Sequence, residues 1–181
     1  MPIDLAAAIP ADLVPPDAPW PVVLGIDPGT RVVGYGAVVA ARGGPRLLVC
    51  GAIDAGPHAV PERLARIARD VRFLLGRLRP AAVVVEKAFH AQNAQSALRL
   101  GEGRGVILAA AAEHGCRIVE YPPAVAKKAL CHGGATKAQI RAMVMTILGL
   151  AVRPEPDDAS DALALALTHV HRVRLGDLLG R

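Results

Sequence analysis

Cysteine is scarce and scattered in this chain. Cys50, Cys116 and Cys131 are odd in number, widely spaced and form no CxxC pair. That excludes a disulfide framework and a zinc site built on paired thiolates, and it suits buried, reduced thiols in a reducing compartment. Aromatics are few as well, with two Phe, two Tyr and one Trp, so any aromatic beside a polar cluster stands out. No apolar run approaches the ~20 residues needed to span a bilayer; the longest lies near Val106–Ala112. The first twenty residues, MPIDLAAAIPADLVPPDAPW, lack the basic start of a signal peptide, carry Asp4, Asp12 and Asp17, and are interrupted by prolines. They predict a loosely ordered, Pro-rich leader over residues 1–20, and the chain as a whole predicts a cytoplasmic protein.

What is present describes a globular domain. Apolar residues make up 52% of the chain, much of it alanine, with ordinary charge density, which excludes a disordered polyelectrolyte. A length of 181 residues suits one domain with a sizeable core, assigned here to residues 21–173, followed by a short tail over 174–181. The net charge of +5 permits a polyanionic partner without demonstrating one.

Apolar runs at Pro21–Asp27, Val32–Ala40 and Arg46–Ile53, separated by Gly-containing turns, predict an antiparallel three-stranded meander. Leu64, Ile67, Val71, Leu74 and Leu78 follow at helical spacing and predict a helix over Pro61–Leu78. Its opposite face carries Arg63, Arg66, Arg69 and Arg72, read as a solvated face. AAVVVEKAF predicts a strand covered on both sides, and CRIVEY predicts a fifth strand. Helices are expected over Asn93–His114, Ala124–Leu130, Lys137–Leu148 and Asp158–Val173, the last apolar nearly all round and therefore buried on the sheet. This order predicts an α/β fold, a five-stranded mixed sheet with helices on both faces. A right-handed crossover sets strand 4 parallel beside strand 1.

In that arrangement Asp27 and Glu86 both terminate parallel strands, where such sheets bind ligands. A carboxylate ending a buried strand costs several kcal/mol of desolvation, on the order of the penalty for any unpaired buried charge, unless something pairs with it. Two converging carboxylates raise one another's pKa unless a cation lies between them. The strand ends supply no matching Arg or Lys, since Lys87 alternates to the opposite face. The stretch PEPDDASDALALAL adds more acids. Asp157 or Asp158 is a natural N-cap, a role that accounts for Glu155 and Asp157. Asp158 and Asp161, at i and i+3, share the face that leads into the buried helix. Oxygen-only ligands from Asp27, Glu86, Asp158 and Asp161 suit a hard divalent cation, Mg²⁺ or Mn²⁺. A pair of such ions roughly 4 Å apart would serve phosphodiester hydrolysis. The turn in VVLGIDPGT alone fits equally a loop that cradles a nucleotide phosphate.

Four blocks in order, GIDPGTRVVGYG, VVVEKAFHAQNAQSALRLGEGRG, VEYPPAVAKKAL and DDASDALALALTHVH, resemble the RuvC family of bacterial Holliday-junction resolvases over roughly Val22 to His171. The resemblance implies an RNase H-like fold and a homodimer acting on a four-way DNA junction. It also implies metal-dependent paired nicks and partnership with a branch-migration helicase complex of the RuvA and RuvB type. It implies two Mg²⁺ per subunit and places their ligands on Asp27, Glu86, Asp158 and Asp161; the third position is His or Asp in relatives. Phe89 matches an aromatic that inserts near unpaired bases, though on its residue type alone it reads as core. Lys127 and Lys137 match phosphate-contacting lysines, against a plain reading as solvated helix lysines. The chain departs from the family at CHGGAT, one residue shorter, and at His90 and Gln92, where relatives often carry an aromatic and a lysine. Asn93–Ala112 corresponds to the family's dimer helix, with Ser96, Ala97, Gly101, Gly103 and Gly105 as small residues for close approach. His169 and His171 lie too far along their helix to join the acids.

Three other readings compete. An actin-like or sugar-kinase-type ATPase shares the GxDxGT turn, but such proteins are typically over twice this length and need a second phosphate motif. A related RNase H-like nuclease acting on RNA, or as a monomer, shares the acids. A junction-binding protein with a spent site is the non-enzymatic reading.

Overall fold

The structure is a computed structural model that describes residues 5, 9–10, 12–14, 18–87 and 93–173. Its elements run β1 (Val22–Asp27), β2 (Val32–Ala41), β3 (Gly44–Asp54), α1 (Val60–Leu78), β4 (Ala82–Glu86), α2 (Ala94–Glu113), β5 (Arg117–Tyr121), α3 (Pro123–Leu130), α4 (Lys137–Leu148) and α5 (Asp157–Arg172). The strands form one sheet in the order β3-β2-β1-β4-β5. β1, β2 and β3 are the expected antiparallel meander. β4 lies parallel to β1 and β5 parallel to β4, as the crossover rule requires.

Strand alternation divides the apolar residues between two cores. Val22, Leu24, Ile26, Val83 and Val85 face α1 and α2, with Ile67, Val71, Leu74 and Ile107. Val23 and Val84 face α5, with Leu163, Leu165 and Leu167. The same two-residue period carries Val23 through Gly25 to Asp27, and Val84 to Glu86. Both terminal carboxylates are thereby aimed at the α5 side of the sheet.

α5 lies almost against the sheet backbone. A Cβ at Gly25 would fall 2.0 Å from the Ala162 carbonyl oxygen, and one at Gly34 would fall 2.1 Å from that of Asp158. Gly34 is the β2 partner of Asp27, so this close approach brings the start of α5 beside Asp27. The N-cap of α5 is Pro156, without a side-chain cap. The expected capping by Asp157 or Asp158 is therefore corrected: both lie inside the first turn, where the helix dipole still favours them. The row of arginines on α1 is an ion-paired face, with Arg66 on Asp70 at 3.7 Å and Arg72 on Glu113 of α2 at 2.9 Å.

In the segment expected to be a loosely ordered leader, Leu5, Ile9 and Val14 pack on the α1 core. Ile9 is fully buried, and Leu5 and Val14 are 8% exposed. The Arg79 guanidinium donates to the Val14 carbonyl, and Arg42 stacks over the Trp20 ring at 5.8 Å. The apolar residues between the prolines drive this, since burying a side chain of this size is worth about 1.5–3 kcal/mol. Ile9→Ala is expected to lower stability by about 2–4 kcal/mol. Thermal denaturation should show a fall in Tm of roughly 5–15 °C, and an unchanged Tm would mean that this segment is not part of the core. The tail over 174–181 lies outside the described residues.

Candidate metal centre

Asp27 closes β1 and Glu86 closes β4 on neighbouring parallel strands, with Ile26 in register with Val85. Asp161, one turn into α5, joins them in lining a cavity of about 270 Å³, together with Lys127 of α3 and Lys137 of α4. Asp158 does not line this cavity. Its backbone rests on Gly34, and its charge still acts on Asp27. The site thus draws on the ends of two strands and on three helices, α3, α4 and α5.

The electrostatics follow from that crowding. Burial, then the charges of Glu86, Asp161 and Asp158, push the Asp27 carboxyl up to about 7, against the opposing pull of Lys137. Glu86 is also raised, chiefly by burial, with Lys137 opposing and Asp161 adding. Lys137 donates to Asp161 Oδ2 at 2.9 Å, and this hydrogen bond raises its pKa. Arg104 reaches across from α2, its Nε donating to the Glu86 carbonyl at 3.5 Å and its guanidinium pairing with Glu120.

The expectation of acids without matching cations concerned only the strand ends, where no matching Arg or Lys was read; helix α4 nonetheless brings cations to the acids. α4 supplies two, because Arg141 as well as Lys137 reaches Asp161 Oδ2, at 3.4 Å. Arg141 also pairs with Asp157 at 2.5 Å, so Asp157 has a role beyond the helix dipole. Arg141 stands four residues after Lys137 on α4, and i,i+4 residues share a face, so the two cations lie on one side of the helix.

As placed, no three His, Cys, Asp or Glu groups among the described residues stand close enough to enclose one ion. Asp161 is turned onto its two cationic partners. The donor chemistry nevertheless fits a hard cation. The cavity's acidic groups are all carboxylates, and Asp27 holds its proton to about pH 7 because burial, together with its acidic neighbours, outweighs the pull of Lys137.

His169 lies in the core, apart from the acids. It is 1% exposed, its Nδ1 shares a hydrogen bond with the Tyr121 hydroxyl at 2.9 Å, and burial lowers its pKa. Phe89, His90 and Gln92 lie outside the described residues. On α2, Ser96 and Ala97 are exposed, whereas Gly103 is buried beneath the turn after β1, where a Cβ would meet the Gly29 carbonyl oxygen at 3.0 Å.

Comparison with known proteins points one way. A family model described as "Crossover junction endodeoxyribonuclease RuvC" matches residues 23–169. A protein of that name from Moorella thermoacetica is 45% identical over 150 residues, covering 82% of this chain and 90% of that one. Among solved structures, "T. thermophilus RuvC in complex with Holliday junction substrate" superposes with a TM-score of 0.77 at 39% identity, over 86% of this chain and 96% of that one. The yeast mitochondrial Holliday junction resolvase Ydc2 shares the fold at 14% identity, with a TM-score of 0.63 over 87% of this chain and 80% of that one.

Proposed function

The chain belongs to the RuvC family of crossover junction endodeoxyribonucleases, and from that premise we propose that it resolves four-way DNA junctions by metal-dependent phosphodiester hydrolysis. It is an endonuclease with an RNase H-like fold. The observation that carries the chemistry is the convergence of Asp27, Glu86 and Asp161 on one cavity that Lys127 and Lys137 also line. The ATPase reading loses its ground, because the GxDxGT turn lies within the family match.

Asp27, Glu86, Asp158 and Asp161 are the residues that would hold the metal. Two Mg²⁺ ions per subunit, with Mn²⁺ as a substitute, would activate water and stabilise the leaving oxygen. Lys137, which pairs with Asp161, is the residue that would meet a DNA phosphate. Lys127, which also lines the cavity, contacts a second phosphate. Phe89 stacks on a base unpaired at the crossover, an interaction worth about 1–3 kcal/mol per base.

Paired nicks in strands of like polarity call for two such sites related by two-fold symmetry. The exposed first turns of α2, with Leu98 65% exposed, are the surface proposed for the homodimer. The substrate arises during recombination and repair in the cytoplasm, beside a branch-migration helicase complex of the RuvA and RuvB type. The test is a labelled synthetic four-way junction incubated with the purified protein, with and without Mg²⁺. Symmetric nicks only with metal are expected. Saturable ATP binding without junction cleavage would overturn the reading, and preferential cutting of an RNA–DNA hybrid would reassign the substrate.

A further inference from the structure

We propose that Arg141 is a positioning residue for Asp161, a guanidinium clasp that fixes one carboxylate oxygen so that the other is presented to a divalent cation. The inference rests on the metal site proposed above. Arg141 lies on α4, one turn after Lys137, with its side chain only 15% exposed. Its Nη1 donates to Asp157 Oδ2 at 2.5 Å and its Nη2 to Asp161 Oδ2 at 3.4 Å. Asp157 and Asp161 stand four residues apart on α5, so one planar side chain spans two consecutive turns of the helix. A guanidinium suits this task because its donors diverge in a rigid fork. Arg153, four residues before Asp157, pairs with the same Asp157 carboxylate and braces the far end of the clasp.

Lys137 uses the same Asp161 oxygen but differs in kind. Its side chain is 75% exposed, and an ammonium on a flexible stem is a point charge without fixed direction. The two cations therefore divide the work. Lys137 is the exchangeable partner that leaves for a phosphate, and Arg141 stays and holds the carboxylate's orientation. With both on Oδ2, Lys137 can depart without releasing Asp161. A purely electrostatic role would act the other way, because a cation beside a ligand oxygen weakens divalent binding. The sign of the effect on metal affinity therefore separates the two.

The experiment uses the full chain as wild type, Arg141→Gln, Arg141→Lys, Asp157→Asn and the double variant Arg141→Gln/Asp157→Asn. Mg²⁺ is titrated in two assays, thermal melting without DNA and nicking of a four-way junction. Junction affinity is measured separately in Ca²⁺. Removing a partner that orients a metal ligand typically costs about 10–100-fold in metal affinity. Arg141→Gln is expected to raise the Mg²⁺ half-saturation about tenfold in both assays, with junction affinity unchanged. Arg141→Lys should recover only part of this loss, since an ammonium cannot span both carboxylates. Asp157→Asn should shift half-saturation in the same direction by less, and the double variant should fall short of the product of the single effects. An unchanged or lower half-saturation in Arg141→Gln, or multiplicative effects in the double variant, would overturn the clasp. Should Arg141→Gln fail to fold, Asp157→Asn decides alone, a raised half-saturation supporting the clasp and an unchanged one overturning it. A wild type whose melting and nicking both ignore Mg²⁺ overturns the metal site and the clasp together, whereas a responsive wild type with an unresponsive Arg141 series overturns only the clasp.

Discussion

Asp27→Asn is expected to lower Mg²⁺-dependent nicking of a four-way junction by roughly a thousandfold or more, equivalent to about 4 kcal/mol of transition-state stabilisation. Junction affinity, measured in Ca²⁺ or without divalent metal, should stay within about threefold, because phosphate contacts by lysines, not the acid cluster, dominate such binding. Asparagine keeps the shape of the side chain and one acceptor oxygen, so the fold has no reason to change. What it removes is the charge at the centre of the cluster: Asp27 is the group on which Glu86, Asp161 and Asp158 all act. It also replaces one potential ligand oxygen with an NH₂ group, which donates hydrogen bonds and does not bind hard cations. Asp158→Asn should be milder by about tenfold, on the order of a single weakened electrostatic contact, since Asp158 does not line the cavity. Nicking assays under single-turnover conditions, with all four acids replaced one at a time, would measure this order. A wild-type rate for Asp27→Asn would remove Asp27 from the metal site, and a Asp158 variant as inert as the Asp27 variant would mean that Asp158 turns into the cavity when metal and DNA bind.

The meeting of Asp27 and Glu86 was legible because it depends only on strand period and connection. β1 and β4 end on acids, the crossover rule makes them parallel neighbours, and two-residue alternation aims both acids at one face. The place of Asp161 followed from one further step, that a helix apolar on all sides must lie on the sheet. Three things were not legible. The closeness of that contact depends on Gly25 and Gly34 facing the α5 backbone, and a glycine in a strand does not announce what approaches it. Arg141 lay in plain view on α4, but its partner was set by how α4 packs against α5, which no local pattern specifies. The packing of Leu5, Ile9 and Val14 was hidden by prolines that lower any periodic signal, although the apolar residues between them still found the core.

The metal-free protein is expected to lose stability as pH rises from about 4 to about 7, and Asp27→Asn is expected to restore it. Burial and its acidic neighbours raise the Asp27 carboxyl in the folded state from 3.8 to about 7. Between those values the folded state binds more protons than the unfolded state, so the stability change with pH is negative; above about 7 both states are ionised and the loss is complete. Glu86 is raised for related reasons and adds in the same direction. Lys137 is raised by its hydrogen bond to Asp161, and the stability this contributes is fully present throughout this window, disappearing only at high pH. At about 1.4 kcal/mol for each tenfold change in proton affinity, the interval for Asp27 corresponds to roughly 4 kcal/mol, and partial access of solvent brings the expected loss to roughly 2–3 kcal/mol. Tm measured with a chelator present should therefore fall by roughly 5–10 °C between pH 5 and pH 8. Asp27→Asn, which carries no charge to repel, should match the wild type at the low end and exceed it at pH 8. Adding Mg²⁺ at pH 8 should raise the wild-type Tm, because a cation that binds only the folded state stabilises it in proportion to the logarithm of its concentration over Kd, and should do little for the variant. The same cluster that costs stability in the empty protein is then what attracts the metal, and the two effects must disappear together on removing one charge. A variant less stable than the wild type at pH 8 in chelator would mean that the Asp27 carboxylate is favourably paired in the metal-free protein, leaving the cluster without the repulsion that draws in a cation.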